Sequence, residues 1–335
     1  MNKDRLKELL HALPAVRVAV IGDFALDAYW LLDPTGSETS LETGRTTQAV
    51  RTQHYTLGGA GNVVANLRAL GVEHVQAIGV IGPDPFGREL GRMLSAAGVD
   101  TRAVATQHTG WDTLVFGKPH VAGVEQPRLD FGAFNQPEAT TEQHLLDAFR
   151  AALPHVHAIV INQQARSSFY SDALIAGIND WTAAHSTHVF VVDSRDLSSR
   201  FTGVSLKLNA AEASRLAGVP CAPGAVVPLD DTHEHARLLF ERTRRPAFIT
   251  RGAHGLTSFD GQAIIDVSGI DLPPPIDPVG AGDAAVAALA AALAAGATAE
   301  EAAHLANLAA AVTVRKLQQC GTATPTEISE LVSHS

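Results

Sequence analysis

Along most of the chain, short apolar runs alternate with longer stretches in which apolar residues recur every three or four positions. The run from Val16 to Asp23 is apolar and closes on Gly-Asp, as a strand buried on both faces does. From Ala60 the repeat changes: Val63, Val64, Leu67 and Leu70 share one helix face, and Gly71 ends the helix. "VQAIGVIG" returns to strand, "FGRELGRMLSAAG" to helix, and "HAIVIN", "HVFVVD", "VSLKLN" and "PAFITRG" supply further strands. Near the N-terminus, Leu6, Leu9 and Leu10 line one side of a short amphipathic helix. This βα alternation predicts an α/β fold with a largely parallel sheet and helices on both faces. The later strands end in Asn162, Asp193, Asn209 and Arg251-Gly252, at the sheet edge where open α/β folds bind ligands.

Two stretches break the rhythm. Residues 33–57 and about 111–132 are polar, rich in β-branched residues and poor in helical period, so they read as short strands or hairpins inserted into the α/β body. Two readings stand for them: surface loops, or a small β lid over a site, since long insertions in compact domains are often functional. No repeat, low-complexity segment or linker divides the chain, and residues 1–335 are expected to form one domain.

Composition narrows the function classes. The formal charge of −10 argues against a nucleic-acid partner, which needs clustered Lys and Arg. No apolar run approaches the roughly 20 residues that span a bilayer, and the N-terminal stretch does not read as a signal peptide. Cys221 and Cys320 are too few and too far apart for a disulfide framework or a zinc knuckle. A reduced cytoplasm is the expected location.

Chemistry concentrates in "DPVGAGDAAVAALAAALAAG" from Asp277. Gly280 and Gly282 let the backbone fold closely, so that successive N–H groups point at one spot, and the alanine run from Ala284 to Ala295 favours helix. A helix N-terminus with free amides favours phosphate or a developing oxyanion. Asp283 sets a proton acceptor beside that cradle, an arrangement suited to phosphoryl transfer to an alcohol. The same residue in the first turn is also what a simple helix cap looks like.

This segment resembles the C-terminal signature of the ribokinase-like (PfkB) carbohydrate kinases, Asp-x-x-Gly-Ala-Gly-Asp opening a helix. "LGGAGNVVANLRALG" (Leu57–Gly71) resembles the family's N-terminal signature, and "GPDPFG" its following turn. The resemblance implies a ribokinase-like fold with a small β lid, ATP as phosphoryl donor and Mg2+ as cofactor. It makes Asp283 the catalytic base, Gly280, Ala281 and Gly282 the anion hole, and puts Asp277 near a monovalent-cation or metal site. "KLNAAE" is similar to the Asn-x-x-Glu element, which sets Lys207, Asn209 and Glu212 at the nucleotide, with Asn209 and Glu212 organising magnesium and its waters. Few direct carboxylates and several waters suit that ion. Thr250, Arg251, Gly252 and Gly255 would lie along the nucleotide, and Asn307 in the adenine slot.

On the acceptor side, Asp23 and Asp27 can each take hydrogen bonds from neighbouring sugar hydroxyls. Gly58 and Gly59 allow close backbone approach, and Asn62 offers both a donor and an acceptor; the resemblance assigns all five to acceptor binding. Within the family, "IGDFALDAYW", "RLDF" (Arg128–Phe131) and the tail "NLAAAVTVRKLQQCGTATPTE" resemble the heptose-phosphate kinase branch. Two departures stand against that branch. "SLETGRTTQ" replaces an Ile-Ser-Pro-Glu-Ala-Pro type segment, and "INQQARSS" replaces a Ser-Asp-Tyr-Ala-Lys-Gly type strand end. Arg45, Arg51, Lys118 and Arg128 are candidates to hold a phosphate already on the sugar, or are solvated surface charges.

The competing classes fit less well. A Rossmann dehydrogenase needs Gly-x-Gly-x-x-Gly after its first strand, where this chain has one glycine, and the P-loop pattern is absent. The histidine pairs His155/His157, His185/His188 and His233/His235 lack a metalloprotease frame and read as surface residues. A non-catalytic sugar- or nucleotide-binding protein would have no chemical need for Asp283, and a nucleoside kinase is the runner-up within the fold. The expectation is phosphoryl transfer to a sugar or sugar phosphate by a homodimer joined through its lid strands.

Overall fold

The computed structural model describes residues 1–222 and 225–333. Among the described residues, fourteen strands fall into two sheets. The strands are β1 (Arg17–Gly22), β2 (Phe24–Leu32), β3 (Val50–Gly59), β4 (His74–Ile81), β5 (Asp100–Thr106), β6 (Leu114–Val121) and β7 (Val124–Glu125). They continue as β8 (Leu129–Phe131), β9 (Ala158–Gln163), β10 (Val189–Ser194), β11 (Ser205–Asn209), β12 (Ala247–Thr250), β13 (Leu256–Phe259) and β14 (Ile264–Val267). The helices are α1 (Lys3–Ala12), α2 (Ala60–Ala69), α3 (Pro85–Ala96), α4 (Ala139–Ala152) and α5 (Asp172–Ala184). After them come α6 (Ala210–Leu216), α7 (Leu229–Thr243), α8 (Ala281–Ala294), α9 (Ala299–Thr313) and α10 (Pro325–Ser333).

The large sheet runs β14-β13-β12-β11-β10-β9-β1-β4-β5, parallel from β5 to β12 and antiparallel over the last two strands. Its strands are apolar on both sides because both sides are covered. Val18 and Val20 of β1 pack into one core with α2, α8 and α9, while Ala19 and Ile21 face a second core with α4, α5 and α7. The expected parallel sheet with helices on both faces is therefore present. The β13–β14 hairpin turns at Asp260-Gly261, a dipeptide suited to a tight strand reversal.

The small sheet runs β3-β2-β6-β7, with β8 on the other part of β6. Its makeup differs from the expected insertions. Phe24–Leu32, which lies outside both expected insertions, is its central strand, whereas residues 33–49 supply only a short 3-10 turn and an isolated bridge between Thr39 and Thr46. Asp27 and Tyr29 lie two apart on β2, and Lys118 of β6 stands opposite Tyr29, so all three share one face.

Helix α8 lies deep in the first core. Residues from Ala284 to Ala292 are all buried, and the helix packs on α2, α9, β9 and β10. Alanine provides both the propensity and the small radius that lets α2 approach, so the blandness of the run is its packing requirement. Ala288→Leu should lower stability by about 1–3 kcal/mol through overpacking, read by urea denaturation; an unchanged midpoint would show that the interface has room.

Candidate active site

The C-terminal ends of the parallel strands converge on the start of α8. Gly280 caps that helix with φ of +82°, and a Cβ there would come within 2.7 Å of Asn62 Nδ2. Glycine is thus required both by the backbone and by the neighbouring amide. Ala281, Gly282 and Asp283 form the first turn; the Ala281 N–H donates to Pro278 O at 3.2 Å, and the next two N–H groups have no partner earlier in the helix. A Cβ on Gly282 would stand 3.0 Å from Lys207 Nζ, so the ammonium reaches down onto this turn.

Lys207, in the middle of β11, is buried and pairs with Asp193 of β10 at 3.1 Å. Burial alone would depress its pKa, but the carboxylates of Asp193, Glu212 and Asp283 outweigh burial and hold it above the ordinary value. Helix amides and a fixed ammonium are both groups that attract an anion. Asp283, half-buried, accepts from Asn62 Nδ2 at 2.9 Å. Burial pushes its carboxyl up to about 7; Asp193 and Asp27 push the same way, while the Asn62 N–H and Lys207 oppose them. A carboxyl at that value is matched to accepting a proton near neutrality.

On the other side of Asp283 lies the small sheet. Asp27 is buried and pairs with Lys118 at 2.8 Å, and the Cys320 thiol donates to its second oxygen at 2.7 Å. Burial and this carboxylate push the Cys320 thiol far above its usual range. Lys118 also donates to Tyr29 Oη at 3.3 Å, and Tyr29 stacks on His54. A Cβ on Gly58 would come within 2.8 Å of Asp27 Oδ2, so that glycine makes room for the carboxylate. Gly59, with φ of +54°, turns the chain into α2 against the Asp23 carbonyl. Asp23 itself is saturated by the chain. It accepts from the Gln164 and Ala165 amides at 2.7 and 2.8 Å and from Ser168 Oγ at 2.5 Å. Burial nevertheless lifts it to about 6, with those three donors opposing.

The remaining expected residues are placed as follows. Asn209 and Glu212 form a reciprocal capping box at the start of α6, at 2.9 and 2.8 Å. Burial raises the Glu212 carboxyl, with Lys207 opposing. Thr250 ends β12 beside Asn209, and its hydroxyl donates to Leu208 O at 3.4 Å. Arg251 donates to His254 O across the turn that holds Gly252 and Gly255. That turn packs on Gly269, and Asn307 of α9 donates to the adjacent Ser268 O at 2.9 Å. These residues form one strip from α8 to α9. Asp277 accepts from the Val279 and Gln318 amides, both at 3.0 Å, which ties the approach to α8 to the segment at Gln318. Arg128 forks onto Asp130 and lies over the Phe116 ring at 4.6 Å, on the small sheet but paired with its own neighbour. Arg51 pairs with Asp33 at the exposed end of that sheet.

Sequence reasoning missed Lys118 as a buried partner of Asp27, and with it Asp193 and Cys320. The strand-end position of Asp193 was the available signal; the other two depend on contacts across roughly 90 and 290 residues. Among the described residues no group of three His, Cys, Asp or Glu side chains stands ready to hold a metal. The carboxylates of Asp193 and Glu212 beside Lys207 suit an ion such as magnesium, bound mainly through its waters and a ligand's phosphates.

Comparison with known proteins gives the class. The pfkB family of carbohydrate kinases matches residues 17–327, and the chain belongs to that family. Its curated relatives include a heptose-phosphate kinase and bifunctional proteins. It is 32% identical over 316 residues to the D-beta-D-heptose 7-phosphate kinase of Bordetella bronchiseptica, covering 90% of this chain and 91% of that protein. It is 34% identical over 326 residues to the bifunctional protein HldE of Caulobacter sp. (strain K31), covering 94% of this chain and 62% of that one. The chain thus spans about three fifths of the bifunctional relatives it matches. Phosphofructokinase-2 of Escherichia coli, solved with substrates and products, shares the fold with a TM-score of 0.74 at 19% identity, over 95% of this chain and 99% of that one. No helix among the described residues is long and apolar enough to cross a membrane.

Asp23 and Asp283 both have folded values above the ordinary 3.8, so the stability they contribute is complete below about 4 and is lost as pH rises through about 6 and 7. Asp283→Asn cannot ionise and should escape its share of that loss. Thermal melts of the two proteins should run together near pH 4 and separate by pH 8, with the variant higher; parallel curves would contradict the raised Asp283 value.

Proposed function

We propose that the chain transfers the γ-phosphoryl group of ATP in line to a hydroxyl of a sugar or sugar phosphate. The observation that carries this reading is the place of Asp283. It stands between an anion site made by Lys207 and the first turn of α8, and a buried polar sheet face carrying Asp27 and Lys118. A base for an alcohol has to stand between the group that moves and the hydroxyl that receives it.

In this reading Asp283, ionised, accepts the hydroxyl proton as the oxygen attacks. The amides of residues 280–283 and the Lys207 ammonium stabilise charge on the transferring group, at no cost in reorganisation because α8 is fixed by its packing. Asn62 orients the Asp283 carboxylate. Magnesium, when bound with ATP, supplies charge neutralisation between the phosphates, and Glu212 and Asp193 are the residues that would hold its waters. The strip from Thr250 to Asn307 would receive the nucleoside. Asp27, fixed by Lys118, would take the acceptor's hydroxyls, and the small sheet would exclude water as a lid. Asp23 would shape the acceptor loop at Gln164–Ser168 rather than contact the sugar directly, since its oxygens already hold that loop.

The test is ADP release with magnesium and ATP across free hexoses, hexose and heptose phosphates, and nucleosides. A sugar or sugar phosphate should stimulate release, and Asp283→Asn should lower that turnover by roughly two to four orders of magnitude while still binding ATP. Stimulation by nucleosides alone, or near-normal turnover in the variant, would overturn the reading.

A further inference from the structure

An asparagine amide has two ends, and only one of them helps an anion. Asn62 helps Asp283 because its N–H side faces the carboxylate at 2.9 Å. Turned over, the same side chain would present its carbonyl oxygen to the Asp283 carboxylate and repel it. Something must fix the choice, and Asn62 itself, a helical residue of α2, has no backbone reason to prefer either state.

The choice is fixed one turn further along. Asn66, fully buried, lies four residues after Asn62 on the same face of α2. Its Nδ2 donates to Asn62 Oδ1 at 3.0 Å, to Asn62 O at 3.0 Å and to Gly321 O at 3.2 Å. Two of these three acceptors are backbone carbonyls, which cannot exchange roles with a donor. They therefore dictate which end of Asn66 carries the N–H groups, and Asn66 in turn dictates that Asn62 turns its oxygen inward. The Asn62 N–H is left for Asp283. Gly321 belongs to the segment that carries Cys320, so the same amide also ties α2 to the chain beneath Asp27.

We infer that Asn66 is a positioning residue for phosphoryl transfer, setting the Asn62 amide so that a donor rather than an acceptor faces Asp283. The inference rests on Asp283 being the base. No family motif quoted above assigns Asn66 a part, and the residue touches neither proposed substrate. Removing its side-chain donor leaves only the Asp283 carboxylate to orient the Asn62 amide, so states with the amide oxygen toward the carboxylate gain population. Other charged and titratable groups also act on Asp283: Asp193 of β10, Lys207 of β11 and Asp27 of the small sheet directly, with Glu212, Lys118 and Cys320 around them. Asn66 also holds Gly321 O beside Cys320, which donates to Asp27, so a change at Asn66 has two routes to Asp283, and an Asn62→Ala background separates them.

The experiment is a carboxyl-carbon NMR titration of the full chain labelled at aspartate, with the Asp283 signal assigned by its loss in Asp283→Asn. Asn66→Leu, close in volume and without a donor, should raise the Asp283 midpoint by about half a unit or more. In an Asn62→Ala background the same substitution should add nothing, because its route is gone. Asn66→Ala, smaller and also without a donor, carries the same expectation where the leucine variant does not fold. An unmoved midpoint in Asn66→Leu, or an equal shift with and without Asn62, would overturn the inference. This readout needs neither ATP nor a sugar. If Asp283 were not the base, turnover would fail to depend on it while the titration shift would remain.

Discussion

The hydrogen bond from Asn62 to Asp283 joins the two glycine-preceded helices on which the site depends. Both α2 and α8 begin where a strand or loop arrives at the C-terminal side of the sheet, and both need a glycine with positive φ to begin there. The bond is possible only because the helices approach closely, and they do so because α8 presents alanines to α2. A larger residue at that contact would widen the gap and separate donor from carboxylate. The packing of the core and the chemistry of the site are therefore one constraint seen from two sides.

A second consequence is electrostatic. Asp283 is surrounded by Asp193, Asp27 and Lys207, so its charge is governed by a balance of burial, repulsion and attraction rather than by one partner. The two ion pairs, Lys207 with Asp193 and Lys118 with Asp27, serve the donor and the acceptor respectively in the proposed reaction. Each half keeps its cation neutralised in the absence of ligand, as buried charges must be. An incoming phosphate would compete for Lys207, and incoming hydroxyls would find Asp27 already oriented.

Much of this was legible in the sequence, and the limits have physical causes. The parallel sheet, its helices and the Asp283 turn were readable because each rests on local pattern: two-sided apolar strands, helical period, glycine before a helix. Asn62 and Lys207 were readable because they sit within motifs at fixed spacing. The small sheet was misdrawn because Phe24–Leu32 carries an apolar run broken only by Asp27, and its partners lie on β3 and on β6, up to about 90 residues away. Lys118 looked like a solvated lid charge for the same reason. Asn209 and Glu212 show the opposite limit: their spacing marks a nucleotide element and a helix capping box equally, and the structure contains the capping box. The Asp260-Gly261 hairpin, by contrast, was announced by its dipeptide and passed over.

The central claim is that a half-buried carboxyl held near neutrality removes the proton from the acceptor. Single-turnover phosphoryl transfer at saturating magnesium-ATP and saturating sugar, followed from about pH 5.5 to 8.5, tests it most directly. The account predicts a rate that rises through one ionisation near 7, the Asp283 value, and then levels. A rate independent of pH across that range would contradict it.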